Sequence, residues 1–384
     1  MSILTILVFL SIVTVLVAAH ELGHYLFARL FKMGVEEFAV GFGKKPIWTF
    51  AKRTYDTPNG PETTVFTIRP WPLGGFVRIK GMAPEEDAAE TKIAGGFYSK
   101  APFQRFVVLL AGPLFSVLAG LVILIPLYMV QGIPKPSNEP VIGMMAADGA
   151  AAKAGLLPGD RIVSIDGTKI NTFYQAITII RENAGKPLAF TYARKDDLRT
   201  ALVTPLADPE PTDVLGADLE PTGQKKVQGK MGARFEVKYV PMGFTTAFGH
   251  AIQAPVEMVK SLAGVITLRK KASDELGGPM TMIAATSETV KRGLGDTLAL
   301  AGLLSISLGI FNLLPIPPFD GGQMVIAVVE MLRKGRRLSL KVQERVAAIG
   351  LALIGVLIVS VFVIDFKRFF GAQPETTKVI APSR

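Results

Sequence analysis

Leu16-Val17-Ala18-Ala19-His20-Glu21-Leu22-Gly23-His24-Tyr25-Leu26-Phe27 is the stretch whose reading decides the fold, because upstream of it Ile3 to Ala19 carries no charge. A helix sets positions i and i+4 on one face, so His20 and His24 can offer imidazole nitrogens to a single metal ion. Glu21, one residue on, can reach a metal-bound water without being a ligand. Two neutral His ligands, a carboxylate base and a metal that brings the pKa of its water to about 7 are the parts of a zinc hydrolase. In an apolar segment a charged group costs on the order of 2–3 kcal/mol near the bilayer centre. Ionisable residues there are functional by default, and Zn2+ is the partner these three fit.

The whole chain agrees with a membrane setting. Its 384 residues are 49% apolar, and a mean hydropathy of +0.38 is too high for an ordinary soluble enzyme. The length suffices for a membrane core plus a soluble domain. The absence of cysteine excludes disulfides, thiolate zinc sites and thiol nucleophiles. Only His20, His24 and His250 are present, so a third zinc ligand is either His250 or a carboxylate. The +10 net charge flanks apolar spans, which suits anionic lipid headgroups and topology control; no nucleic-acid motif is present. With no basic n-region or small-residue cleavage site, the N-terminus is expected to be a retained span.

Four spans are predicted: Ile3 to Phe31, Phe106 to Val130, Thr297 to Pro315 and Val346 to Ile364. Arg333, Lys334, Arg336, Arg337, Lys341 and Arg345 crowd the loop between the last two, and Arg29, Lys32, Lys92, Lys100 and Arg105 flank the first loop. The positive-inside rule puts both loops in the cytoplasm, residues 131–296 outside, and the His pair toward the cytoplasmic half. In the first loop Thr64 to Arg69 reads as a strand, Pro70 to Gly75 as a turn of membrane-interface character, and Phe76 to Gly81 as a returning strand. This is either a plain surface hairpin or an edge that holds an extended substrate through Gly74, Gly75, Phe76, Val77 and Arg78.

Residues 139–205 have a different composition. Ala154-Gly155-Leu156-Leu157-Pro158-Gly159-Asp160 with Ile165-Asp166-Gly167 resembles a PDZ domain, a module that binds extended peptides or termini by strand addition. Pro205 to Gly229 is linker-like, and a further strand is expected by Val240. Residues 242–271 have apolar residues at helical spacing and are predicted to lie on the outer membrane surface. His250 falls there, on the side opposite the HExxH motif.

The third span ends in Phe311-Asn312-Leu313-Leu314-Pro315-Ile316-Pro317-Pro318-Phe319-Asp320-Gly321-Gly322. Its prolines break the helix, which lipid tolerates only where freed backbone groups find partners or line a cavity. Asp320 either caps the helix that follows or supplies the missing carboxylate ligand. Asn312, within the span, would donate hydrogen bonds to substrate or to a developing oxyanion.

Together, His20-Glu21-x-x-His24, Asn312-x-x-Pro315-x-x-Pro318-x-Asp320-Gly321, the inserted PDZ-like stretch and Gly74-Gly75-Phe76-Val77 resemble the site-2 protease family. The likeness is to its bacterial branch, of the regulator-of-sigma-E-protease type; Gly41-Phe42-Gly43 and Gly278-Pro279 match it too. Two departures stand out: one PDZ where many relatives carry two, and Ser116 where the family usually has Asn. The resemblance implies zinc-dependent cleavage of single-span membrane proteins inside the bacterial inner membrane, after another protease has trimmed them. Anti-sigma factors and remnant signal peptides are the implied substrates, with the PDZ domain excluding bulky ones. The expected architecture is a polytopic α-helical membrane protein: helices 1–2 within 1–130, a membrane-associated β-hairpin at about 64–81, an inserted α+β PDZ domain, helices 3–4 within 297–366, and a tail from 367 to 384. A membrane-anchored PDZ scaffold with a dead metal site is the competing expectation. A zinc transporter would need a second ligand cluster on the outer side, which the sequence lacks.

Overall fold

The structure, a computed structural model, describes residues 2–57, 60–82, 89, 91–195, 197–208, 212–215, 221–370 and 379–380. Among these, four helices are long and apolar enough to cross a membrane: α1 (Ile3–Leu30), α2 (Pro102–Val130), and two later ones. The chain divides into two units, residues 1–131 with 242–371, and 132–241 with 372–384.

In the first unit, α1 is followed by four strands, β1 (Val35–Phe42), β2 (Trp48–Thr57), β3 (Gly60–Ile68) and β4 (Trp71–Ile79). They form one sheet in the order β2-β3-β1-β4. The expected hairpin of β3 with β4 is therefore corrected. β1 lies between them, parallel to β3 and antiparallel to β4, and the true hairpin is β2 with β3. Gly41, at φ +88°, and Gly75 permit this closeness, since a Cβ at either would meet a backbone oxygen of the adjoining chain at 2.6 or 2.7 Å. The edge strand β4 lies on α1, where Thr14 Oγ1 donates to the Pro72 carbonyl at 2.5 Å.

The later helices are α3 (Phe244–Ile266), α4 (Pro279–Arg292), α5 (Leu294–Asn312), α6 (Asp320–Leu332) and α7 (Leu340–Phe370); α5 and α7 are the remaining spans. Lipid offers no hydrophobic force between helices, so small residues set the crossings. A Cβ at Gly23 of α1 would stand 2.3 Å from the Ala111 carbonyl of α2, and one at Gly309 of α5 would stand 2.6 Å from that of Pro113. The predicted surface helix over 242–271 packs one face, including buried Ala247 and Ala251, against α2 and α5, and exposes Phe244, Phe248, Ile252, Val256 and Val259. At the start of α4, Asp365 of α7 accepts from the Gly278 and Met280 amides at 3.1 and 2.9 Å, satisfying helix-end donors.

The second unit extends past the expected 139–205. Ile133–Pro136 pairs with Val237–Val240, and the stretch read as linker carries the strand pair Thr212–Leu215 and Pro221–Lys226. Its main sheet runs Asp197–Val203, Leu188–Arg194, Arg161–Ile165, Thr168–Lys169, all antiparallel. Helix Phe173–Glu182, opened by a Thr172–Gln175 capping box, places Ala176 and Ile180 on a core of Leu156, Ile162, Ile165 and Phe190. A further strand, Ile142–Ala146, pairs with Ala233–Phe235 and with Val379–Ile380; the rest of the tail beyond 370 lies outside the described residues.

Candidate metal centre and active site

His20 and His24 follow each other on one face of α1, both buried. Asp320 arrives from elsewhere in the chain. After α5 ends at Asn312, the Leu313–Phe319 segment turns back and α6 begins at Asp320. Gly321 and Gly322 make that tuck possible, because a Cβ at either would stand 2.3 Å from Leu313 O or Pro317 N. Asp320 does not cap the helix: Phe319 is the N-cap residue, and the carboxylate turns toward the imidazoles.

Three ligand atoms converge there. Asp320 Oδ2 lies 3.1 Å from His20 Nε2 and 3.3 Å from His24 Nε2, and the two nitrogens are 3.2 Å apart. A tetrahedral zinc with bonds of about 2.0–2.2 Å spaces its ligand atoms roughly 3.3–3.6 Å apart, so these three fit that ion within a few tenths of an ångström. Among the described residues, this is the one group of three His or carboxylate side chains with such a spacing. The outward nitrogens are also engaged: His24 Nδ1 is 2.9 Å from the Val108 carbonyl, and His20 Nδ1 is 2.9 Å from Ser116 Oγ. A carbonyl only accepts, so His24 carries its proton on Nδ1 and leaves Nε2 free for a metal.

Ser116 is fully buried, and Ser305 Oγ donates to its carbonyl at 2.7 Å. Ser116 thus supplies His20 with a buried polar contact. Sequence reasoning did not give Ser116 this role; its being the polar residue of an apolar span was the available signal. We expect Ser116→Ala to weaken zinc binding about 10- to 100-fold, with recovery in Ser116→Asn, measured by competition with a chromogenic chelator. Gly112 was missed as well. Its Cβ would stand 2.2 Å from His24 Nε2, so Gly112→Ala should displace that ring and release zinc, whereas the same change at exposed Gly355, where nothing lies within 4 Å, should leave zinc in place.

Glu21 lies beside this cluster, within reach of the Val77 backbone on β4. Gly75 sits against the same helix; a Cβ there would be 3.4 Å from Val17 Cγ1 and 3.6 Å from Glu21 Cγ. Phe76 stacks on Phe42, and Arg78 Nη2 is 3.7 Å from Glu37 Oε2. The structure thus brings His20, Glu21, His24, Asp320 and the Gly74–Arg78 strand to one place. The Asn312 amide Nδ2 donates to Leu308 O at 2.9 Å within its own helix.

The family model for peptidase family M50 matches residues 8–357. The chain belongs to peptidase family M50. A relative from Mesorhizobium japonicum is 32% identical over 91% of this chain and 95% of its own length. The regulator of sigma-W protease RasP of Bacillus subtilis is 29% identical, covering 95% of this chain and 99% of its own. The zinc metalloprotease RasP of Bacillus licheniformis matches with the same figures. Among solved structures, the PDZ domain of an SdrC-like protein from Listeria monocytogenes covers 24% of this chain at 20% identity and a TM-score of 0.16, too slight a likeness to bear on the fold. Membership makes the chain a zinc metalloprotease of the site-2 type, held in a membrane.

Proposed function

We propose that His20, His24 and Asp320 hold the zinc ion and that Glu21 is the general base of a protease cutting within transmembrane segments. The observation that carries this is the convergence of three ligand atoms, from two helices, within 4.8 Å of one another. His20 lies ten residues before the end of α1, about 15 Å inside that end at 1.5 Å per residue, which is bilayer depth. Bound zinc would supply Lewis acidity and a water acidic enough to ionise near neutral pH. Glu21 takes the proton from the attacking water and returns it to the leaving amide nitrogen. A helical substrate hides its carbonyls in i→i+4 bonds, so it must unwind locally. The open edge of β4 accepts the extended segment by strand addition, with Gly74 to Arg78 in contact with it, and Asn312 turns from Leu308 to donate to the substrate.

By the positive-inside rule the metal lies toward the cytoplasmic half of a bacterial inner membrane, with the PDZ-like unit outside excluding untrimmed substrates. The name of the Bacillus subtilis relative supports a membrane-bound regulator of a sigma factor as one substrate. Incubating the zinc-loaded chain in liposomes with a single-span peptide, with and without its outer domain, tests this. The expected result is cleavage inside the span of the trimmed form, and cleavage of both forms once residues 139–205 are deleted. A scissile bond outside the span would refute the reading.

A further inference from the structure

Glu37 and Arg69 are charged side chains exposed by only 7% and 8%, in a sheet that lies on the first spanning helix. The Glu37 carboxylate accepts from Thr67 Oγ1 at 2.6 Å, from Arg69 Nε at 3.1 Å and from Arg69 Nη2 at 2.7 and 2.8 Å. Arg78 Nη2 of β4 stands 3.7 Å from its other oxygen. Arg69 Nη1 reaches the Gly43 carbonyl just past β1. One ion pair therefore joins β1, the end of β3, the β1 turn and β4. Its influence continues along β4: the Arg69 and Arg78 guanidinium carbons lie 5.0 and 5.4 Å from the Phe76 ring centroid, between Gly75 and Val77.

Burying two charges is costly, and packed apolar residues would hold a sheet as well or better. What a bidentate pair adds is one allowed geometry. In a strand that matters, because a slip of one residue turns every side chain to the other face. Burial pushes the Glu37 carboxyl up, but the Thr67 hydroxyl, Arg69 and Arg78 outweigh it and hold it below the usual carboxylate range. The pair is therefore ionised at neutral pH.

We infer that Glu37 and Arg69 are positioning residues, whose ion pair fixes the register of β4 on β1, where Glu37 lies opposite Arg78, so that the open edge of β4 presents an extended substrate to Glu21 and the metal ligands. This rests on reading β4 as the substrate strand. The test uses the zinc-loaded full chain with p-benzoylphenylalanine in place of Phe76 and a single-span substrate peptide. Glu37→Gln, Arg69→Gln and the double variant, which leaves no buried charge unpaired, are each expected to raise KM about tenfold or more with kcat within about twofold. The photo-adduct at position 76 should fall in step, with zinc per chain unchanged, and Arg69→Lys should recover only part of the loss because it lacks the fork. A double variant with unaltered KM and adduct yield would overturn the inference. So would a joint fall of kcat and zinc content at constant KM, which marks general support of the fold. Absence of any adduct in the chain with Glu37 and Arg69 intact, alongside normal cleavage, would fell the substrate-strand reading itself.

Discussion

Glu21→Gln is expected to bind as much zinc as the unmutated chain while its cleavage rate falls by about 10²–10⁴-fold, the usual worth of a positioned general base. The two side chains match in shape, and Glu21 is not among the three converging side chains that could hold the metal. Packing beside Gly75 is therefore retained. The change removes only the capacity to take a proton from water and deliver it to the leaving nitrogen. Zinc per chain by elemental analysis, measured beside single-turnover cleavage of a membrane peptide, separates the two effects. Full turnover in this variant would remove Glu21 from its role.

Asp320→Ala should act on the metal itself. Without the carboxylate, two imidazole nitrogens 3.2 Å apart remain, and a structural or catalytic zinc site takes three or more protein ligands. Groups that merely orient ligands are worth 10–100-fold in affinity, so loss of a ligand should exceed about 100-fold and carry cleavage down with it. The helix should survive, because its N-cap residue is Phe319 and its start is held by Gly321 and Gly322 packing under Leu313–Pro317. Unchanged metal content would reduce Asp320 to an acidic residue at a helix N-terminus, where the dipole favours it.

How much of this was legible beforehand differs by element. The spans were, because twenty or so apolar residues in a row have few other solutions; α1 and α2 begin or end within four residues of expectation. The strands were only partly so. β1 carries Glu36-Glu37 and Gly41, and an apolar-polar pattern broken by a buried ion pair does not read as a strand. Once β1 was unseen, β3 and β4 looked like neighbours. The metal ligands were proposed from the His count and the broken third span, but neither feature could choose between ligand and cap for Asp320.

From the sequence alone came the membrane-spanning helices, the His20–Glu21–His24 face and the shortage of His that left only His250 or a carboxylate as third ligand. Each follows from local periodicity or plain counting. Only the tertiary structure decided that Asp320 meets His20 across 300 positions, that Ser116 and Gly112 surround the imidazoles, and that β1 separates β3 from β4. Those facts depend on which distant backbones can approach one another, a matter of missing Cβ atoms and crossing helices that no period of 3.6 or 2 encodes.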